Sequence, residues 1–309
     1  MSNTTNNLLK SKTYLITGPT SGIGKATALE LAKHGTVILV GRNLKKLEEV
    51  QNMIEQNGQQ AESVVCDLSD IVSVRRAAKE IIAMRLPIVG LLNNAGIYPM
   101  HPSKSPQGWD LTFATNYLGP FTLTEELMPH LPDEANVVFI VSAMEDPEHE
   151  PVKVLGMHGG RYISAEASAR GEWKEGNFKN SGSDAYSTSK QCLLAAAMTF
   201  AHETLRLHFN AIEPGINPGT GLGGGDANIA MRFLSQILTL FPPFVKYRST
   251  PKRAARVITK ILTDESGKTG IYYDEKGQPM LGSALVRDQK FQDRVVAETR
   301  ALLATIQSK

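Results

Sequence analysis

Tyr186 and Lys190 stand four residues apart in Tyr186-Ser187-Thr188-Ser189-Lys190, at the head of an apolar, alanine-rich stretch from Gln191 to Leu205. That stretch predicts a helix, and one helical turn puts phenol and ammonium on the same face. A free phenol, with a pKa of about 10, can donate a proton but is a poor base near neutrality. An ammonium beside it favours the phenolate, typically lowering the pKa by about 1–3. The pair is an acid/base candidate, although such spacing also arises on ordinary helix faces. A second feature gives it context. In Thr17-Gly18-Pro19-Thr20-Ser21-Gly22-Ile23-Gly24, three glycines fall where the first predicted strand meets the first predicted helix. Residues without a Cβ allow a sharp turn and the close approach of a pyrophosphate, and the helix behind points its free N–H groups at the phosphate.

The elements that must position these residues alternate. Strands are predicted at Thr13–Thr17, Thr36–Val40, Ser63–Cys66, Ile88–Leu92, Asn136–Val141, Phe209–Ile212 and within Gly270–Tyr273. Between them lie predicted helices at Gly22–His34, Leu44–Gln56, Val72–Met84, Trp109–His130 and Tyr186–Leu205. Ile229–Leu240, Pro251–Leu262 and Asp288–Ile306 read as further helices. Strand–helix units of this length need parallel crossovers, hence an α/β fold with a doubly wound parallel sheet in a single domain. The alternation breaks from Ala143 to Asp184, a charged, glycine-containing insertion before Tyr186. A segment that long inside a domain is functional or has structure of its own.

In order and spacing, the glycine turn, Asn93-Asn94-Ala95-Gly96 and the Tyr186/Lys190 pair resemble the short-chain dehydrogenase/reductase family over nearly the whole chain; Gly-x-x-x-Gly-x-Gly is that family's glycine spacing. The resemblance implies a Rossmann-type, nicotinamide-dependent oxidoreductase. It implies that Gly18, Ser21, Gly22, Ile23 and Gly24 line the cofactor phosphates, and that Asp67, with Leu68 after it, meets the adenine. Asn93, Ala95 and Gly96 border the adenosine ribose and support the sheet, while Pro214 and Gly215 face the nicotinamide amide. Tyr186 becomes the acid/base and Lys190 its electrostatic partner and a ribose ligand; Asn116 anchors a proton-relay water. A second donor holds the carbonyl oxygen where charge develops. Many members have two serines at the end of the fifth strand, often with the second catalytic. Here Ala143 follows Ser142, so either Ser142 is that donor or the position is lost; Ser142, the one serine at this strand end, is assigned.

The end of the second strand separates the two nicotinamide dinucleotides. A carboxylate there binds the ribose 2′-hydroxyl, whereas a cation accommodates a 2′-phosphate. Gly41-Arg42-Asn43 offers no acid before Glu48, and Lys25 adds a cation beside the glycine turn. NADP(H) is expected over NAD(H). Pro218-Gly219-Thr220-Gly221-Leu222 resembles the branch holding retinol-dehydrogenase-like enzymes, protochlorophyllide reductases and polyketide ketoreductases of the anthracycline type. This implies a bulky apolar ketone, aldehyde or alcohol, with the 143–184 and 215–250 segments shaping the pocket. It leaves a protochlorophyllide-type C=C reductase open, with which the wording Ser189 to Cys192 is compatible. A non-catalytic NADP-binding sensor would be expected to lack Tyr186 or Lys190. Family members commonly dimerise through the helices here represented by Trp109–His130 and Tyr186–Leu205. An insertion before the tyrosine covers that face in some of them, so a monomer is expected over a homodimer.

Bulk properties remove other classes. The 309 residues are 41% apolar with a net charge of +2, both signs interspersed, so no nucleic-acid partner is implied. No apolar run approaches membrane-spanning length, and the first seven residues hold no apolar targeting core, so a cytoplasmic location is expected. Cys66 and Cys192 read as two reduced thiols. His202-Glu203 lacks the second histidine of a zinc helix, His158-Gly159-Gly160 has no accompanying nucleophile elbow, and no metal spacing is present.

Overall fold

The computed structural model describes residues 12–99, 101–173, 181–217 and 239–306. The first residues, the 218–222 motif and nearly all of the helix expected at 229–240 lie outside the described residues. Seven strands, β1 (Thr13–Thr17), β2 (Thr36–Gly41), β3 (Ala61–Val65), β4 (Ile88–Asn93), β5 (Asn136–Ile140), β6 (His208–Ile212) and β7 (Ile271–Tyr273), form one sheet in the order β3-β2-β1-β4-β5-β6-β7. Every pairing is parallel. The strands are almost wholly apolar because both faces are covered. Alternate residues serve alternate faces: Leu15, Ile38 and Val40 point to one core, and Tyr14, Ile16, Val37 and Leu39 to the other.

On one face lie α1 (Gly22–Leu31), α2 (Leu44–Glu55) and α8 (Pro251–Leu262); their Leu31, Leu47, Ile54 and Ile258 enter that core. On the other lie α3 (Ile71–Ala83), α4 (residues 111–130) and α7 (Ser181–Glu203). The helix starts follow side-chain caps. Asn43, Asp70, Asp110 and Thr250 each accept an N–H from the first turn of the helix that follows. The long helix expected from Trp109 begins after the Asp110 cap, and is not uniformly α. A π-turn, Ala114–Leu118, interrupts it and carries Asn116. The insertion is not irregular throughout: it holds α5 (Glu150–Val154), α6 (Ala165–Arg170) and the first turn of α7, which starts five residues before Tyr186.

The last helix, α9 (Gln289–Ala304), lies across α4 and α7. Tyr117 on α4 shares a hydrogen bond of 2.8 Å with Thr299, and Arg300 pairs with Glu125 of α4 and Glu203 of α7. Glu298 accepts from the Tyr162 hydroxyl and the Ala165 N–H, fastening the insertion to the same helix. At the centre of the sheet the chain order reverses between β1 and β4. The crevice beyond the carboxyl ends of strands at such a reversal is where folds of this kind bind ligands.

Candidate active site

A cleft of about 470 Å³ opens at that reversal, lined from six strand ends. Gly18, Ser21, Gly22, Ile23 and Gly24 contribute from the turn after β1, Arg42 from the end of β2, and Asp67 and Leu68 from the end of β3. Ala95 and Gly96 follow β4, Ser142 follows β5, and Pro214 and Gly215 follow β6; Tyr186 and Lys190 enter from α7. The glycine turn has no room for side chains. Gly18 has φ +67°, and a Cβ there would sit 2.9 Å from the Ala95 Cα; a Cβ on Gly24 would sit 2.1 Å from the Gly18 carbonyl oxygen. Ser21, at the N-terminus of α1, makes no side-chain cap. Backbone N–H groups facing a cleft without a Cβ in the way suit a phosphate, so the turn fits a dinucleotide.

Ser142 leaves β5 into the short 3₁₀ turn Ala143–Glu145, accepting the Met144 N–H at 3.3 Å. Buried Glu145 anchors this turn by accepting from the Ser283 N–H and hydroxyl at 2.8 and 2.6 Å. Burial pushes the Glu145 carboxyl up to about 7. The Tyr186 ring packs on Tyr98 with centroids 4.8 Å apart. Lys190 is buried, its Nζ 5.7 Å from the Tyr186 ring centroid and donating to the Ile140 carbonyl at 2.8 Å. The Tyr186 and Ser142 hydroxyls are within hydrogen-bonding reach of each other.

The family model described as short chain dehydrogenase matches residues 12–151. Retinol dehydrogenase 12 of Mus musculus is 36% identical over 135 residues, an alignment covering 43% of each chain. The chloroplastic protochlorophyllide reductase of Pisum sativum is 26% identical over 292 residues, covering 86% of this chain and 70% of that one. A short chain dehydrogenase from Shigella flexneri 2a, solved with NADP, superposes with a TM-score of 0.60 at 27% identity, covering 87% and 98%. Residues 12–151 thus match the short-chain dehydrogenase family, and the chain as a whole is similar to it. It spans about two fifths of the length of the retinol-dehydrogenase-like relatives it matches, at 41–43% of each.

Three expected site residues do not line the cleft. Lys25 is half-buried on α1, directly after Gly24, and is not part of the cleft wall. Asn93 is buried beneath the site, its Nδ2 donating to Thr124 at 2.9 Å. Its neighbour Asn94 takes the cleft position instead and braces the glycine turn, donating to the Thr17 and Gly18 carbonyls at 2.8 and 3.2 Å. Asn116 stands behind the wall. Its amide clamps Ile97, accepting from the backbone N–H at 2.8 Å and donating to the carbonyl at 2.9 Å, with Ser189 as a further acceptor.

The electrostatics also differ from expectation. Burial first, and then the charge of Glu213, push the Tyr186 phenol upward, against the fall expected beside Lys190. Burial brings the Lys190 ammonium down to about 8, with Glu213 opposing that fall. Glu213 was not singled out from the sequence, yet it lines the cleft between Ser142 and Gly215. The available signal is an acid closing an apolar strand, in Ala211-Ile212-Glu213-Pro214-Gly215. Cys66 also reaches the wall, with its thiol pushed up to about 12 by burial, whereas Cys192 is wholly buried in the core. Among the described residues, no group of three or more His, Cys, Asp or Glu is placed to hold a metal ion, and no helix is long and apolar enough to cross a membrane.

Proposed function

We propose that the chain is an NADP(H)-dependent oxidoreductase that interconverts a ketone or aldehyde with the corresponding alcohol, on a bulky apolar substrate. The observation that carries this reading is the convergence of Tyr186, Ser142 and Lys190 in one cleft with the glycine turn and Arg42. When bound, the nicotinamide supplies or accepts the hydride. The protein does the rest. Tyr186 donates its proton to the carbonyl oxygen as negative charge grows there, and Ser142 donates a hydrogen bond to the same oxygen. Lys190 supplies positive charge behind the phenol and a donor for the cofactor ribose. Gly18 to Gly24 hold the phosphates, and Arg42 the 2′-phosphate. Ile97, Met144 and Ile216 give the cleft an apolar wall. Similarity to retinol dehydrogenase 12 and to a human polyprenol dehydrogenase supports an apolar substrate. A screen of NADPH consumption over ketones, aldehydes and quinones of graded size tests the reading, with turnover expected on large apolar members. No consumption with any carbonyl, despite tight NADPH binding, would sink it.

One further reading rests on the long alignment with protochlorophyllide reductase, namely reduction of a C=C bond in a large conjugated ring. Absorption spectra with protochlorophyllide, before and after illumination, separate the two.

We also read the protein as a monomer. The faces of α4 and α7 that commonly pair between subunits in this family are here covered by α9 and tied through Arg300 to Glu125 and Glu203. Light scattering at micromolar concentration is expected to give about 34 kDa, from a chain mass of 33.7 kDa. A stable species of twice that mass would refute the monomer.

A further inference from the structure

Glu213 follows β6 directly, between Ile212 and Pro214, where a carboxylate gains nothing from an apolar neighbourhood. The structure gives it specific partners. Its Oε2 accepts the Ala143 N–H beyond β5, and its Oε1 accepts the Gly215 N–H at 2.9 Å. The Ser142 hydroxyl is within hydrogen-bonding reach of this carboxylate as well as of the Tyr186 hydroxyl, so Glu213 stands one hydroxyl away from the acid/base. The charged and titratable groups that face it are Tyr186 and Lys190 from α7 and Tyr272 from β7. Lys190 is the one cation among them. Its ammonium forms no salt bridge and is held by a neutral carbonyl, so the buried charge lacks a bonded counter-ion among the described residues.

We propose that Glu213 is a positioning residue for the reaction: its carboxylate, fixed between the ends of β5 and β6, is the counter-charge of Lys190 and sets the cleft to work as a reductase. This rests on the oxidoreductase reading above. The physical reason is twofold. An anion near Tyr186 disfavours the phenolate and stores the residue as phenol, the form needed to protonate a nascent alkoxide. The same anion lines the part of the cleft where Pro214 and Gly215 would meet the nicotinamide. There it favours the cationic, oxidised ring over the neutral, reduced one, and so favours the state left after the hydride has gone to the substrate. Withdrawal from water pushes the Glu213 carboxyl up, while the Ala143 and Gly215 N–H groups, Ser142 and Lys190 pull it back. A lone strut between β5 and β6 would need the hydrogen bonds but not the charge.

The test compares dissociation constants of NADP⁺ and NADPH, measured by fluorescence titration, for the full-length wild type, Glu213→Gln and Glu213→Asp. The Gln variant keeps the shape and loses the charge. It should weaken NADP⁺ relative to NADPH by roughly tenfold, the order expected for one charge acting across several ångströms of protein. The Asp variant should restore most of the ratio. In alcohol oxidation, the Gln variant's activity should rise at a lower pH than the wild type's, because the phenolate forms more easily once the anion is gone. A second measurement needs no variant. Acidifying the wild type until Glu213 is protonated should lower the NADP⁺-to-NADPH preference by the same factor; the 2′-phosphate titrates in both forms and cancels. An unchanged ratio in Glu213→Gln, or, if that variant does not fold, a ratio in the wild type that stays flat down to the lowest pH at which the protein remains folded, would reduce Glu213 to a strut. Failure of the wild type to bind either cofactor would overturn the oxidoreductase reading itself, and this inference with it.

Discussion

Tyr186→Phe should lower turnover by about 10²- to 10⁴-fold while leaving NADPH affinity and thermal stability close to the wild type. The substitution removes one oxygen. The ring stays packed against Tyr98, and the helix around it keeps its buried face, from Ala185 to Ala197. What disappears is the proton donor within reach of Ser142. Lys190→Ala should behave differently. It should damage turnover and cofactor affinity together, because the same ammonium faces the phenol and the ribose position. It also strips the Ile140 carbonyl of its donor at 2.8 Å, so some loss of stability accompanies it. Steady-state rates on a substrate found by the NADPH screen, with binding followed by fluorescence, separate the two patterns. Near-normal rates in Tyr186→Phe would remove Tyr186 from the acid/base role.

The sheet was legible because apolar runs such as Tyr14-Leu15-Ile16 and Val37-Ile38-Leu39-Val40 admit few other readings once glycine and charged helices alternate with them. Parallel pairing then fixes where the loops with chemistry emerge, which is why Gly18, Arg42, Asp67, Ser142 and Tyr186 meet in one cleft. Side-chain direction was less legible. Asn93 and Asn94 are the same residue type in adjacent positions, and only the end of β4 decides that the first points down to Thr124 and the second up to the glycine turn. Lys25 does not line the cleft for a similar reason: adjacency to a glycine turn says nothing about helical phase. The insertion looked formless because α5 and α6 have five and six residues, too few for a helical period to show. The start of α6 is held by long-range bonds to Glu298, and the turn that opens the insertion by Glu145 to Ser283; no local pattern announces either. The upward push on Tyr186 escaped for the most basic reason. It depends on burial and on Glu213, which is 27 residues further along the chain and one hydroxyl away in space.

Arg42→Asp should reverse the choice of cofactor. Arg42 is exposed at the rim of the cleft, one residue past the end of β2, and its backbone is held from both sides. The Gly41 carbonyl accepts from the Cys66 N–H at 2.9 Å, and Asn43 caps α2 through the Lys46 N–H at 3.1 Å. Among the described residues, no carboxylate pairs with its guanidinium, so the fork is available to a ligand. A guanidinium matches phosphate oxygens two at a time through charge-assisted hydrogen bonds. After desolvation, such a contact supports a preference for NADPH over NADH of roughly 30- to 1000-fold. An aspartate at this position repels the 2′-phosphate and can accept from the ribose hydroxyls, so NADPH should weaken by a similar factor while NADH improves. Because Arg42 is exposed, added salt should erode the wild type's use of NADPH faster than its use of NADH. The measurement is kcat/KM for both cofactors, at low and high ionic strength, in wild type and variant. Equal use of NADPH and NADH by the wild type would leave Arg42 an ordinary surface arginine. A variant that kept the wild type's preference would show that the 2′-phosphate is recognised elsewhere on the rim.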